Sequence, residues 1–469
     1  MQVSSNRTFD EIQIGETLTL SRQLSQMEIE ALSLVSGEVD SFHVDDGAKT
    51  NGNGHTTKSV SGEALLSAML CRRLPGPGTT ILEQNLRFHG GFSAADELVG
   101  TVTAREKRDR DHSIVFDCKV RCGSRELVSG TVTVAAPLQR AHYTQLATPE
   151  VVVRRNDDFA RLLQRCEGLP PVSCAIVHPC DRDSLAGPLE AARLGLIVPI
   201  LVGPEAKIRA VAAAEKLDLG ACQIVPTEHS HAAAAKAVAM ARSGEVESLM
   251  KGSLHTDELM AAVVPSATGL RTARRISHAF VLDVPSYPRV LFITDAAINI
   301  APTLEDKADI VQNAIELAQT LGIEVPRVAI LAAVETVNSK MQATLDAAAL
   351  CKMADRGQIR GGLLDGPLAF DNAISERAAE TKKIKSEVAG RADILLAPDL
   401  QSGNMLAKQL QYLAGADAAG IVLGTRVPIV LTSRADTVRV RLASTAVLKL
   451  VAHEHRAARA AAEPGRALS

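Results

Sequence analysis

The chain has no tryptophan, and three tyrosines and nine phenylalanines bring its aromatic share to only 3%. That leaves little from which to build base-stacking platforms. The formal net charge is −3, so no basic excess is available to neutralise a phosphate backbone. Nucleic acid is therefore not an expected partner. No apolar run approaches the roughly 20 residues that span a bilayer, so no membrane is expected either. Residues 1–16 contain no apolar targeting core. The eight cysteines are scattered rather than paired by spacing, which excludes a secreted disulfide scaffold and fits a reduced cytoplasm. Cys174, His178 and Cys180 come closest to a metal-ligand cluster. They straddle an expected strand end and read as ordinary buried thiols beside a histidine, so no metal and no cofactor is expected.

What is present is a globular composition, 46% hydrophobic and 22% charged, over 469 residues. That length implies two or three domains. Residues 1–140 read as one α+β domain. Period-two alternation predicts strands over 80–88, 96–104, 113–122 and 126–134. The stretch from Gly62 to Leu74 is apolar on nearly all sides, as a helix buried by a wrapping sheet would be. Residues 49–57 are a polar loop. The polar, patternless stretch 138–156 reads as a linker, with 141–156 as its core. From 157 onward, short apolar runs alternate with helical patterns at 304–321, 338–354, 402–414 and 437–456. This predicts a mostly parallel α/β sheet, divided into two lobes with a cleft between them.

Two segments in this second part carry most of the chemistry. One is Pro398-Asp399-Leu400-Gln401-Ser402-Gly403-Asn404. The other is Leu431-Thr432-Ser433-Arg434-Ala435-Asp436. Each reads as a strand end, a tight turn and a helix N-terminus, a place suited to anions. An Arg there adds a bidentate phosphate ligand. Other polar residues fall at further expected strand ends: Lys251, the group Arg271, Arg274 and Arg275, Asp295 with Asn299, and Asp365. A single Asp or Ser at such a place reads as a cap or turn residue. The set as a whole falls where one cleft would gather it, with Lys251, Arg271, Arg275 and Asn404 as candidate substrate ligands.

These segments, in this order, resemble the phosphate acetyltransferase and phosphate butyryltransferase family. The likeness runs through Lys251-Gly252, Gly269-Leu270-Arg271-Thr272, Ile276-Ser277-His278, residues 365–371, Val388-Ala389-Gly390, Pro398-Asp399 with Gly403-Asn404, and 432–436. The motif variants at 364–371 and 432–436 lean toward the butyryl branch. The resemblance implies reversible acyl transfer between coenzyme A and inorganic phosphate, with coenzyme A as substrate, on a two-lobed α/β fold that forms a dimer or larger homo-oligomer. By that resemblance Ser433 and Arg434 are the active-site pair, Arg434 holding phosphate. Two positions depart from the family. Val440 stands seven residues after Ser433, where many acetyl-branch members carry an acid, which leaves Asp436 and Asp295 as candidate bases for the thiol. Residues 258–261 lack an Arg that many members place there.

In the first part, Glu38 precedes His43 by five residues on a turn. An acid and a neutral imidazole sharing one water can add it across an activated double bond. The N–H of Gly62, opening the buried helix, can hold a thioester oxygen. Read by spacing alone, the same segment is equally a capped polar loop. Residues 36–45, with Ser61-Gly62, 74–79 and 85–88, resemble the MaoC-like hotdog-fold (R)-specific enoyl-CoA hydratases. Glu38 stands where that family has Asp, Asp40 where it has Asn, and Ser41 where it has Pro. The resemblance leaves open for this part a weak hydratase or an acyl-CoA-binding or dimer-forming module. For the whole chain, the alternatives to a transferase are a non-catalytic acyl-CoA sensor and an enoyl-CoA hydratase as the main activity.

Overall fold

The computed structural model describes residues 3–25, 28–29, 31–32, 35, 60–90, 96–144, 157–432 and 436–462. The chain divides into two compact units, Met1–Arg155 and Asn156–Ser469.

The first unit comprises β1 (Val3–Ser5), β2 (Thr17–Gln23), α1 (Val60–Arg72), β3 (Thr80–Phe88), β4 (Glu97–Arg108), β5 (Ser113–Cys122), β6 (Arg125–Ala135) and β7 (His142–Thr144). Five of the strands form an antiparallel sheet in the order β2-β4-β5-β6-β3. Alternation decides which side faces in: Leu98, Val102 and Ala104 of β4 are buried between more exposed neighbours. They pack with Leu65, Leu66, Met69 and Leu70 of α1, which is why that helix has no polar stripe. Met69 is fully buried; cutting such a side chain to Ala costs about 2–5 kcal/mol. Gly62 is the third residue of α1, and a Cβ there would lie 2.7 Å from Val128 Cγ2, so a glycine lets the helix start close against β6. Within the stretch read as linker, β7 pairs antiparallel with β1. Glu38 and His43 lie outside the described residues.

The second unit begins with α2 (Asp157–Arg165), β8 (Val172–Val177), α3 (Arg182–Arg193), β9 (Ile197–Gly203), α4 (Glu205–Ala214), β10 (Gln223–Pro226), α5 (Ser230–Ser243), β11 (Ser248–Lys251) and α6 (Thr256–Val263). It continues with β12 (Ser277–Asp283), β13 (Val290–Thr294), α7 (Leu304–Thr320), β14 (Arg327–Leu331), α8 (Gln342–Asp355), β15 (Leu363–Leu368), α9 (Phe370–Ile374) and α10 (Glu376–Thr381). It ends with β16 (Ile394–Leu396), α11 (Leu400–Tyr412), β17 (Asp417–Leu423), β18 (Ile429–Val430) and α12 (Val438–Ala462).

Its strands join in a single sheet of 11, ordered β10-β9-β8-β11-β18-β17-β12-β13-β16-β14-β15. The expected mostly parallel sheet is in fact mixed at its centre. β12 runs antiparallel to both neighbours, and β17 runs antiparallel to β18. The strands from β10 to β18 in that order therefore run one way, and β17, β13, β16, β14 and β15 run the other. The two faces also differ. On one, Cys174, Ile176, Met250, Ile421, Phe292 and Val328 belong to one continuous core under α7, α8 and α12. On the other, Ala175 and Leu249 join a core with α5 and α6, while Ile293 and Ala329 join a separate one with α10 and α11. The division into halves is thus a property of one face only.

No described helix is long and apolar enough to cross a membrane. All eight cysteines are free, and no three His, Cys, Asp or Glu among the described residues are arranged to hold a metal.

Candidate active site

Because the two halves of the sheet run in opposite senses, their carboxyl ends lie at opposite edges. The sequence placed all the polar strand ends in one cleft. In the fold, polar residues follow the ends of both sets of strands.

At the edge where β8, β9, β11 and β18 end, each strand hands over to a helix N-terminus. Asp181 caps α3, its carboxylate accepting from Ser184 N at 2.8 Å. His229 caps α5 through Nδ1, which accepts from Ala232 N. Glu258 of α6 accepts from His255 N and from Ser230 Oγ, and the Ser230 contact is the main reason its pKa is lowered. The N–H groups of such helix starts favour anions. Burial works to raise the Asp181 pKa, yet hydrogen bonds from Ser184 and Ser253 and the charge of Arg441 outweigh it and hold the group ionised below its usual range.

Lys251 ends β11 and is 4% exposed. Its Nζ donates to the carbonyl of Thr432 at 3.2 Å and to that of Gly252 at 3.4 Å. The ammonium expected on a phosphate thus also holds the segment that follows β18. Arg441, from the first turns of α12, reaches the same residue and donates to Thr432 Oγ1 at 2.9 Å. Ser433 and Arg434 follow Thr432 in sequence and lie outside the described residues. Asp436 is half-buried and acts electrostatically on Arg441. Beside this edge, Val440 forms part of the wall of a cavity of about 270 Å³, with Phe159, Leu162, Val281 and Phe292. Asp283, Asp417 and Arg439 also line it, so the position seven residues after Ser433 faces a cavity of mixed character.

The opposite edge holds a different network. Asp295 follows β13 and is 2% exposed. One oxygen accepts from Ala297 N and Ile298 N at 2.8 and 2.9 Å. The other accepts from Asn299 Nδ2 at 2.5 Å and His278 N at 3.3 Å. Burial holds its pKa above the usual carboxylate range, and these donors offset that only in part. Asn299 in turn accepts from Arg275 Nε at 2.6 Å, and Arg275 also pairs with Asp306. Asn404, in α11, donates to the carbonyl of Ala296 at 2.9 Å. Arg271 is exposed and bridges to Thr425. Asp295, Arg275 and Asn404 are thus assembled around one turn.

Sequence reasoning passed over Arg441, Asp181 and His278 as individual sites. An Arg inside a helical pattern gives no signal of burial, since the same letter on the outer face would be ordinary. His278 had a signal, because it lies within Ile276-Ser277-His278, but nothing there told that its ring would be fully enclosed. Neither ring nitrogen has a hydrogen-bond partner. Burial lowers its pKa to about 4, against a smaller upward pull from the Leu431 main chain.

Comparison with known proteins follows the second unit. The family model for phosphate acetyl/butaryl transferase matches residues 229–448. A phosphate acetyltransferase of Rhizobium meliloti is 64% identical over 304 residues, 65% of this chain and 96% of the relative. A phosphate butyryltransferase of Clostridium beijerinckii is 41% identical over 295 residues, 63% of this chain and 98% of the relative. Of these two, the acetyl relative is the more similar, against the butyryl lean of the motifs at 364–371 and 432–436. Among solved structures, a branched-chain phosphotransacylase from Enterococcus faecalis V583 superposes with a TM-score of 0.51 at 28% identity, covering 60% of this chain and 99% of its own.

Proposed function

The chain belongs to the phosphate acetyltransferase and phosphate butyryltransferase family, and we propose that its second unit transfers an acyl group reversibly between coenzyme A and inorganic phosphate. The observation that carries this reading is the strand end at Thr432. Two buried cations hold it at an edge where helix N-termini collect, and Ser433-Arg434 come next in the chain. In this reading a phosphate oxygen attacks the thioester carbonyl, the C–S bond breaks, and the CoA thiolate leaves. Arg434 clamps the phosphate and Ser433 donates to the developing oxyanion. No covalent acyl-enzyme is needed when both substrates are held together. In the reverse direction the thiol must lose its proton. We assign that role to Asp436 rather than Asp295, because Asp295 already accepts four hydrogen bonds and lies at the other sheet edge. Acetyl-CoA is the first substrate to try, given the higher identity to the acetyl relative.

The test is phosphate-dependent release of free CoA from acetyl-, propionyl- and butyryl-CoA. Wild type should turn over, and Arg434→Ala should lose roughly 10²–10³-fold in rate, as loss of an electrostatic clamp does. Release of CoA that ignores phosphate, or none at all, would sink the reading and favour a non-catalytic acyl-CoA sensor.

For the first unit we propose a hydratase-like, hotdog-type role on acyl-CoA. A helix enclosed by an antiparallel sheet, with Gly62 in its first turn, supports it. Weak hydration of crotonyl-CoA should appear as a fall in thioester absorbance and disappear in His43→Ala. An equal fall in that variant would remove His43 from the chemistry.

A further inference from the structure

Arg441 is 2% exposed, and it is the largest side chain buried so deeply among the described residues. Room for it is made by Gly187 of α3, where a Cβ would lie 2.9 Å from Arg441 Cδ and 3.3 Å from its Cβ. Burial pulls its pKa down while Asp181, Asp436 and Asp183 pull it up, and a guanidinium keeps its charge regardless. Packing alone does not call for such a residue. An apolar side chain of similar volume usually serves a core as well or better than a buried charge. What the guanidinium adds is a fixed, directional donor, and that donor is aimed at Thr432 Oγ1 at 2.9 Å. Lys251, also buried, holds the carbonyl of the same residue. Thr432 is thus gripped at its hydroxyl and its carbonyl by two cations from different elements, one residue before Ser433.

We infer that Arg441 is a positioning residue for acyl transfer, acting through Thr432, the residue that precedes Ser433 and Arg434 in the chain. The inference rests on the transferase reading above. A loose grip should weaken the chemical step more than substrate binding, because misplacement of about 1 Å costs roughly 10²-fold in rate.

The experiment uses the full-length protein with Thr432→Val, Arg441→Lys, Arg441→Met and the Thr432→Val/Arg441→Met double variant. Thr432→Val and Arg441→Met should each lower kcat by roughly 10- to 100-fold with the KM for acyl-CoA near its wild-type value. Arg441→Lys should recover part of the loss. The double variant should be no slower than the worse single, since both remove one interaction. Wild-type kcat in Thr432→Val, or losses that multiply in the double variant, would overturn the inference. Should Arg441→Met fail to fold, Thr432→Val and Arg441→Lys still decide. A second readout is independent of activity: the rate of trypsin cleavage after Arg434, followed by mass spectrometry. It should rise in Thr432→Val, and an unchanged rate counts against the grip. A wild type without phosphate-dependent turnover would sink the transferase reading, and the cleavage rate would then judge the hold on Thr432 by itself.

Discussion

Several single residues here carry charge or polarity into places where burial makes it costly, and each has a partner that explains it. Asp295 is surrounded by donors, Lys251 and Arg441 meet on Thr432, and Lys449 of α12 donates to the carbonyls of Cys166 and Gly195 at 3.1 and 3.0 Å. His278 differs, since its enclosed ring is neutral, stacked edge-on against Phe280 at 4.6 Å. Burial puts its folded pKa at about 4, below the 6.5 usual for an imidazole. The unfolded chain therefore binds a proton in a range where the folded one does not, so stability rises with pH across that window and is lost as pH falls from about 6.5 to 4. The contribution is on the order of 3 kcal/mol at most. Urea unfolding between pH 4 and 7 should show this slope in wild type and a shallower one in His278→Leu. Parallel slopes would mean that some other group carries the titration.

The helices of the second unit are set by their first turns as much as by their apolar faces. Asp399 caps α11, its carboxylate accepting from Ser402 N at 2.8 Å and from Ser402 Oγ at 2.9 Å. Thr303 and Asp306 form the reciprocal box at the start of α7. Asp399→Ala should cost about 1 kcal/mol in the unfolding of this unit, as loss of an N-cap does. Because α11 starts at the edge opposite to Thr432, the KM for phosphate should stay near wild type. A marked rise in that KM would place α11 at the phosphate and contradict the separation of the two edges. The cap was readable beforehand, since an Asp three residues before Ser402, at the head of an amphipathic stretch, marks a helix start by type and spacing. The buried face of α12 was not readable to the same degree. Arg441 and Lys449 interrupt an otherwise ordinary periodicity, and only packing of α12 against β17, β18 and α3 makes them interior.

At the scale of the whole molecule, the two units have separate cores. The Rhizobium meliloti relative aligns with 65% of this chain, yet that covers 96% of its own length. The second unit thus corresponds to a protein that stands alone. A fragment of residues 156–469 should fold and keep phosphate-dependent CoA release within roughly a factor of a few of the full chain, as a domain with its own core is expected to do. A folded fragment without turnover would show that residues 1–155 take part in the transfer itself.

Local pattern placed most of the strands and the main helices within a few residues. Both follow from short-range physics: side-chain period, turn chemistry and capping act between neighbours in the chain. The ordered motifs up to Thr432-Ser433-Arg434 were equally local, and they were enough to suggest the chemistry. Three things waited for the tertiary structure. The reversal of strand direction at β12, β17 and β18 divided the polar strand ends between two edges, because carboxyl ends gather only among parallel neighbours. Lys251 was brought onto the Thr432 carbonyl because β11 and β18 are adjacent although far apart in sequence. Arg441 became a buried brace because Gly187, from another helix, leaves the space it fills. Each depends on contacts between residues distant in the chain, and a single sequence carries no direct record of those.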